Sequence, residues 1–365
     1  MAVPFRVIDT GLREGRANIA FDAALIDLHA AGQIPDTIRF LRFRPTALVG
    51  RHQAITRELN LAQCGADDIG LARRITGGGA IYFDEGMLGW ELVFSRRRLV
   101  LPSLADYTRK ICESAADGLS RAFGIDARFR PRNDIEVGGR KLSGTGGFFE
   151  GDTLFFQGTV LIDADPARVM SYLNVPRAKT ERHALDRAEN RITTLKALTG
   201  ASPEPDLVQQ AISDGFARGL GLALASEPAT PAEEERAARV YDDQVGQDDF
   251  VFEIDAPGEP GHLEASITGA GGTVTAFVRV DGRPGAPRIA HALITGDFFV
   301  TPPRLVLDLE AALRGVPVHE AGMAVDAFFT VARPDLLSIR PEDFRTAITT
   351  ALTGIGQNRP GMPKN

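Results

Sequence analysis

Cysteine is nearly absent from this chain, which has two in 365 residues, Cys64 and Cys112. Two thiols cannot form a disulfide framework, and neither stands in a CxxC or other metal-ligand spacing. Tryptophan occurs once, at Trp90. No apolar run approaches the roughly 18 to 20 residues that a bilayer span requires. The opening Met1-Ala2-Val3-Pro4-Phe5-Arg6 lacks the charged-then-apolar order of a secretory signal. A reducing, cytoplasmic setting is therefore expected. Positive charge is not in excess either: 41 Lys and Arg face 48 Asp and Glu, for a net charge of −7. Neither nucleic acid nor a membrane is an expected partner. There is no GxxxxGK[ST], and no GxGxxG opens a helix, so P-loop and Rossmann assignments fail.

What remains is an ordinary soluble composition, 44% hydrophobic and 24% charged, in a chain long enough for two domains. Residues 15–31 carry apolar side chains at helical spacing. Thr37–Val49 reads as one or two strands broken at Arg44-Pro45, and Arg57–Cys64 as a short helix. Ala80–Phe94 holds strand-like runs around Gly86. Ser103 is an N-cap, and Leu104, Tyr107, Ile111, Ala115, Leu119 and Phe123 form one apolar stripe that Gly124 stops. Short strands are expected at Asp126–Arg130, Ile135–Val137, Thr153–Phe156 and Thr159–Ile162, and a helix at Pro166–Leu173.

Strands outnumber helices between 35 and 165, which predicts an α+β fold with a mixed sheet. Residues 201–245 read as helices forming a linker, with Asp206–Leu220 the clearest. Beyond it, strands at Phe250–Ile254, Leu263–Ile267, Val274–Val280 and Ala290–Leu293 and a helix at Leu305–Arg314 describe a small α+β domain. The expected division is 1–245, 246–350 and a tail of 351–365.

Two glycine-rich stretches with basic neighbours carry the chemistry. The first is Arg73-Arg74-Ile75-Thr76-Gly77-Gly78-Gly79-Ala80, and the second is Gly138-Gly139-Arg140-Lys141-Leu142-Ser143-Gly144. Bare glycine backbone lets a ligand approach closely, and successive amides can cradle an anion. Lys141 offers one compact positive charge. Each stretch alone is also compatible with an ordinary turn.

The order of motifs resembles the lipoate–protein ligase family of the biotin and lipoate ligase superfamily. The likeness runs through Pro45-Thr46-Ala47-Leu48-Val49-Gly50-Arg51-His52-Gln53, Glu58-Leu59-Asn60, the Arg73–Ala80 stretch and Tyr82-Phe83-Asp84. It continues at Asn133-Asp134-Ile135, Gly139–Gly144, Gly158-Thr159-Val160-Leu161-Ile162-Asp163 and Arg191-Ile192-Thr193-Thr194-Leu195. It covers roughly residues 37 to 200 with spacing preserved. Thr295-Gly296-Asp297-Phe298-Phe299 and Leu309–Gly315 look like the family's small accessory domain.

The resemblance implies a mixed-sheet catalytic domain followed by that accessory domain, which rearranges between two steps. In the first, lipoate or octanoate attacks the α-phosphate of Mg-ATP and forms an acyl-adenylate. In the second, the acyl group passes to a lysine of an acceptor domain, H-protein-like or dehydrogenase E2-like. Lys141 would be the catalytic residue. Arg73, Arg74, Gly77, Gly78, Gly79, Ala80, Asn133, Asp134, Ser143, Gly144, Gln157, Gly158 and Thr159 would bind substrate and ATP, with Asp134 also meeting magnesium. Trp90 and Phe148 would border the acyl slot, although Phe148, Phe149, Phe155 and Phe156 suit a sheet core better. Gln157 stands where many such ligases carry histidine, and Met87-Leu88-Gly89 also departs from the pattern. Two alternatives accompany this expectation. One is an octanoyl or lipoyl transferase working without cysteine, since neither cysteine occupies a position where such enzymes place the nucleophile. The other is a non-catalytic paralogue that binds acylated domains.

Overall fold

The structure, a computed structural model, describes residues 4–174, 191–258, 261–269, 271–283, 285–337 and 339–356; the last nine residues of the expected tail lie outside this set. The strands of the first part are β1 (Phe5–Arg13), β2 (Thr37–Phe43), β3 (Thr46–Val49), β4 (Gly70–Arg73), β5 (Ile81–Phe83), β6 (Met87–Ser95), β7 (Ala127–Arg130), β8 (Asp134–Val137), β9 (Arg140–Glu150), β10 (Thr153–Leu161) and β11 (Leu224–Ser226). Eight of them form one sheet in the order β11-β1-β2-β6-β10-β9-β8-β7. β1 runs parallel to β2 and β11, and the pairs from β2 through β6, β10, β9 and β8 to β7 are antiparallel. The fold is thus the expected α+β type with a large mixed sheet.

Alternation along β6 and β10 divides this sheet into two faces. Leu88, Trp90, Leu92 and Phe94, with Leu154, Phe156 and Val160, join one core with Ile111, Ala115 and Leu119 of the helix Leu104–Phe123 and Ile212 and Phe216 of the helix Pro205–Gly219. Those helices touch through glycine: a Cβ on Gly118 would stand 2.0 Å from the Ala211 carbonyl oxygen. The opposite face packs Val93, Phe148 and Phe155 against Phe21 and Leu25 of the helix Gly15–Ala30. Beyond the end of that core, the smaller sheet β4-β3-β5 packs beside Met87 and Leu161.

The Ser103 helix forms as its sequence dictates. Ser103 Oγ accepts the Asp106 N–H at 3.2 Å, and Gly124 closes the helix at φ 65°, a left-handed conformation suited to glycine. Other expectations need correction. Arg57–Cys64 is two short helices, Ile55–Glu58 and Leu61–Ala66. They break where Asn60 turns its side chain onto the Gln63 N–H as a cap. Thr153–Phe156 and Thr159–Leu161 belong to the single strand β10, since Gly158 stays in register with Trp90 and Thr145, and the strand ends before Ile162. Phe250–Ile254 is no strand; Asp248–Val251 is a short helix. The carbonyls of Phe250, Val251 and Ile254 accept from Arg73 instead of a sheet ladder. Residues 201–245 carry the helices Pro205–Gly219 and Pro231–Val240, which pack with the first part. Val208 and Phe216 sit in the same core as Trp90, and Val240 and Val245 pack with Leu48 and Ala72.

In the second part, β12 (His262–Gly269), β13 (Gly272–Arg283) and β14 (Ala286–Gly296) form an antiparallel sheet, and β15 (Phe299–Thr301) pairs with β16 (Asp335–Leu337). Helices Leu305–Leu313, Ala321–Ala332 and Pro341–Leu352 bury Leu309, Val325 and Ile348 against Val274, Ala276 and Val278 of that sheet. Hydrogen bonds seat this unit on the first, among them Gly296 N–H to the His52 carbonyl at 2.9 Å and Phe149 N–H to Thr301 Oγ1 at 3.3 Å.

Candidate active site

A cleft of about 430 Å³ opens where β9, β10 and the loop after β4 meet. Its glycine loop is clamped from behind. Arg74 N–H donates to the Val49 carbonyl at 2.9 Å and Arg51 N–H to the Thr76 carbonyl at 2.8 Å. Gln53 Oε1 accepts the Gly50 N–H at 2.9 Å. The Pro45–Gln53 stretch is thus a brace for the loop. His52 within it is buried and stacks on Phe298. Burial first, then Arg51 and Arg73, pull its imidazole down to about 3, so it is neutral near pH 7.

The two arginines part company. Arg73 is fully buried and donates to the carbonyls of Gln53 at 2.7 Å, Phe250, Val251 and Ile254 at 3.1 Å, and Gly50 at 3.2 Å. It ties two chain segments together and does not line the cleft, contrary to the expectation that it meets substrate. Arg74 does line it. Its Nη2 donates to the Gly79 carbonyl at 2.8 Å, while its buried Nη1 has no partner among the described residues. Burial lowers this guanidinium to about 10, still charged at neutral pH. A buried, charged donor without a partner, in a residue beside the cleft, is suited to an anion.

Lys141 stands across the cleft on β9. Its backbone is pinned on both sides by the Arg191–Leu195 motif, with Lys141 N–H to the Arg191 carbonyl at 2.7 Å and Thr193 N–H to the Lys141 carbonyl at 2.8 Å. Its Nζ is 2.9 Å from Asp134 Oδ1, and Asp134 Oδ2 takes Arg130 Nη2 at 2.5 Å. Burial alone would raise the Asp134 carboxyl, but the Lys141 charge and the bonds from Arg130 and Lys141 outweigh it and hold it below its usual range. Each oxygen of Asp134 is thus paired with a cation in this arrangement. Among the described residues no group of three or more His, Cys, Asp or Glu is placed to hold a metal ion.

Gly77, Gly78, Gly79, Ala80, Asn133, Gly144, Gln157, Gly158 and Thr159 all line the cleft. Gln157 Nε2 donates to Thr76 Oγ1 at 2.7 Å, fixing the loop to β10. Asn133 spends its amide on the Thr145 carbonyl. Ser143 is wholly buried and outside the cleft, its Oγ without a partner among the described residues. Trp90 is also wholly buried, packed on Phe216 and Phe156 behind Gly158. Phe148 lines a different cavity of about 440 Å³ with His52 and Glu310. Neither aromatic borders this cleft, because alternation turns both toward other cores.

The apolar wall is made instead by Phe83, Met87, Leu161, Val169, Met170, Leu173 and Ile192. Leu161 was within reach of sequence reasoning, since it shares a strand face with Gln157 and Thr159. Val169 and Leu173 were not: they arrive because Asn60 N–H bonds the Tyr172 carbonyl at 2.9 Å and Asn174 N–H the Glu58 carbonyl at 2.8 Å. Asp297 and Phe299 of the second unit also line the cleft, with no local signal to reveal it.

A mixed sheet that carries a lysine, a buried arginine and a glycine loop around a cleft with an apolar wall defines an α+β fold with a candidate site. Residues 14–217 match the family model of the lipoyl protein ligase A/B catalytic domain, and the chain belongs to that family. The octanoyltransferase LipM of Halalkalibacterium halodurans is similar at 25% identity, over 68% of this chain and 98% of its own. In fold, LipL1 of P. falciparum, solved with lipoate, is similar at a TM-score of 0.73 with 17% identity, covering 95% of this chain and 100% of that one. The bipartite lipoate protein ligase of Thermoplasma acidophilum, described with its E2 lipoyl domain, is similar at a TM-score of 0.63 with 22% identity, covering 71% and 100%.

Proposed function

We propose that this chain is an ATP-dependent lipoate–protein ligase. A lipoate or octanoate chain lies along Met87, Leu161, Val169 and Leu173, where burial contributes roughly 0.8 kcal/mol per methylene. Its carboxylate oxygen attacks the α-phosphate of Mg-ATP, taken as substrate, and pyrophosphate leaves. Lys141 faces the reacting oxygens and stabilises the charge that develops there, while Arg74 receives phosphate. The amine of an acceptor lysine then attacks the acyl carbon; AMP departs with the bonding electrons and the amine gives its proton to solvent. The acceptor is a lipoyl domain, by analogy with the E2 domain named beside the Thermoplasma ligase. In this reading the large-sheet unit is the catalytic body and the unit built on β12–β14 the accessory domain.

The cysteines argue against a transferase that works through a thioester. A thioester route needs an accessible, ionisable thiol. Cys64 and Cys112 are both buried, and burial pushes their thiols up to about 11 and about 12. Cys112 Sγ lies 3.4 Å from Thr145 Oγ1, beneath the cleft floor. The similarity to LipM supports the second reading, a transferase working without cysteine. The decisive experiment supplies lipoate, Mg-ATP and a lipoyl acceptor domain, and weighs the acceptor. A lipoyl adduct with pyrophosphate release is expected, and it persists in the Cys64→Ser, Cys112→Ser double variant. Acylation from an octanoyl carrier protein without ATP, and none with lipoate and ATP, would establish the transferase instead.

A further inference from the structure

The glycine loop is not bare in this arrangement. The Phe298 carbonyl accepts the Gly78 N–H at 3.2 Å. A Cβ on Gly77 would lie 2.1 Å from the Phe298 carbonyl oxygen, and one on Gly78 would lie 2.6 Å from Phe299 Cζ. On the sheet side Gly146, the β9 partner of Gln157, would place a Cβ 2.1 Å from Phe299 Cε1. The ring therefore fills a gap between two backbones that only glycine leaves open. Arg74 Nη2 is 3.3 Å from the same point above Gly78, so ring and guanidinium converge there. Asp297 lines the cleft beside them, its Oδ1 held by the Thr273 N–H at 2.5 Å.

The bonded amide, the ring and the carboxylate each oppose an anion at that end of the cleft. An amide has one proton to give, and that of Gly78 is already given to Phe298. The Phe299 ring excludes volume where a phosphate would approach the loop, and the Asp297 carboxylate carries the same sign as phosphate. The charge of Asp297 is felt nearby: burial first, and Asp297 second, raise Glu58 to about 7. The tip Asp297–Phe299 offers the loop an oxygen acceptor and negative charge, as a bound phosphate would.

We propose that the Asp297-Phe298-Phe299 tip is an internal competitor for the phosphate end of the nucleotide, so that its docking on Gly77–Gly78 and anion binding exclude one another. This rests on the reading that the glycine loop and Arg74 hold phosphate. An anion then binds only the fraction of molecules with the tip released, and its apparent affinity is lowered by that fraction. Removing the ring raises the fraction.

The test titrates full-length wild type and Phe299→Ala with inorganic pyrophosphate and with Mg-ATP by calorimetry. Amide hydrogen exchange of wild-type segments 76–80 and 295–301 is followed with and without pyrophosphate. The variant is expected to bind pyrophosphate about tenfold or more tightly than wild type, the gain for a site mostly closed. In wild type, pyrophosphate should speed exchange at 295–301 as the tip leaves. Equal affinities with unchanged exchange overturn the competition while leaving the ligase reading intact. Absence of binding to both proteins overturns both. Should Phe299→Ala fail to fold, wild-type exchange decides alone.

Discussion

Gly144→Ala separates the position of the Lys141 ammonium from its presence. A Cβ at residue 144 would stand 2.6 Å from Lys141 Nζ and 2.7 Å from Cε, with Asp134 Oδ1 next at 3.8 Å. Ordinary contact begins near 3.4 Å, so the amine must retreat by about 0.8 Å. It is the end of a flexible side chain and yields without moving the backbone. Gly144 lies within β9 and has no left-handed φ to lose. Alanine there is conformationally neutral or gains about 0.5–1 kcal/mol over glycine. A displacement near 1 Å at a reacting centre can lower the rate about 10²-fold, or roughly 2.7 kcal/mol in the barrier. The assay pairs lipoate-dependent pyrophosphate exchange with thermal unfolding. Exchange should fall about 10²-fold while the melting temperature holds or rises. Full exchange would refute the role given to the Lys141 ammonium, and parallel loss of activity and melting temperature would refute the claim that only the side chain moves.

Arg73→Leu and Arg74→Leu should behave oppositely. Losing Arg73 leaves the carbonyls of Gln53, Phe250 and Val251 without their charged donor, which should lower stability by at least about 3 kcal/mol in urea unfolding. Arg74→Leu should instead weaken Mg-ATP binding, seen by calorimetry, with a smaller effect on the unfolding midpoint. The pH dependence of stability follows from Glu58 and Glu310. Burial, aided at Glu58 by Asp297 and at Glu310 by Glu253, raises both from 4.5 to about 7. A carboxyl raised in the folded state binds its proton more tightly there than in the unfolded chain. The stability this adds is present below about pH 4.5 and lost as the pH climbs through 7. Urea midpoints measured from pH 5 to 8 should fall in wild type and fall less in the Glu58→Gln, Glu310→Gln double variant; parallel curves would sink the assignment.

Much of the cleft was legible in one dimension because its parts are local. The glycine loop, the Lys141 hairpin and the Gln157-Gly158-Thr159 strand each sit within a few residues, and glycine or a charge next to it is a local signal. Their failures are also physical. Arg73 and Arg74 are neighbours with the same side chain, yet the first ends β4 and the second opens the loop that follows it, and their side chains go to different places. One meets the buried carbonyls of Phe250 and Val251 and the other the cleft. Trp90 and Phe148 were offered to the acyl slot for their apolar surface, which suits any core equally well.

The sequence by itself determined the α+β class, the family, the capped helix from Ser103 and the stretches that frame the cleft, since these rest on periodicity, capping and motif order. Only the tertiary structure decided which arginine faces the cleft, that Val169 and Leu173 wall its apolar end, and that Phe299 reaches Gly78 and Gly146 from more than 150 residues away. Contacts of that kind come from register and docking between separate elements. No local pattern of side chains encodes them, and the glycines marking the place in the sequence leave open what fills the space.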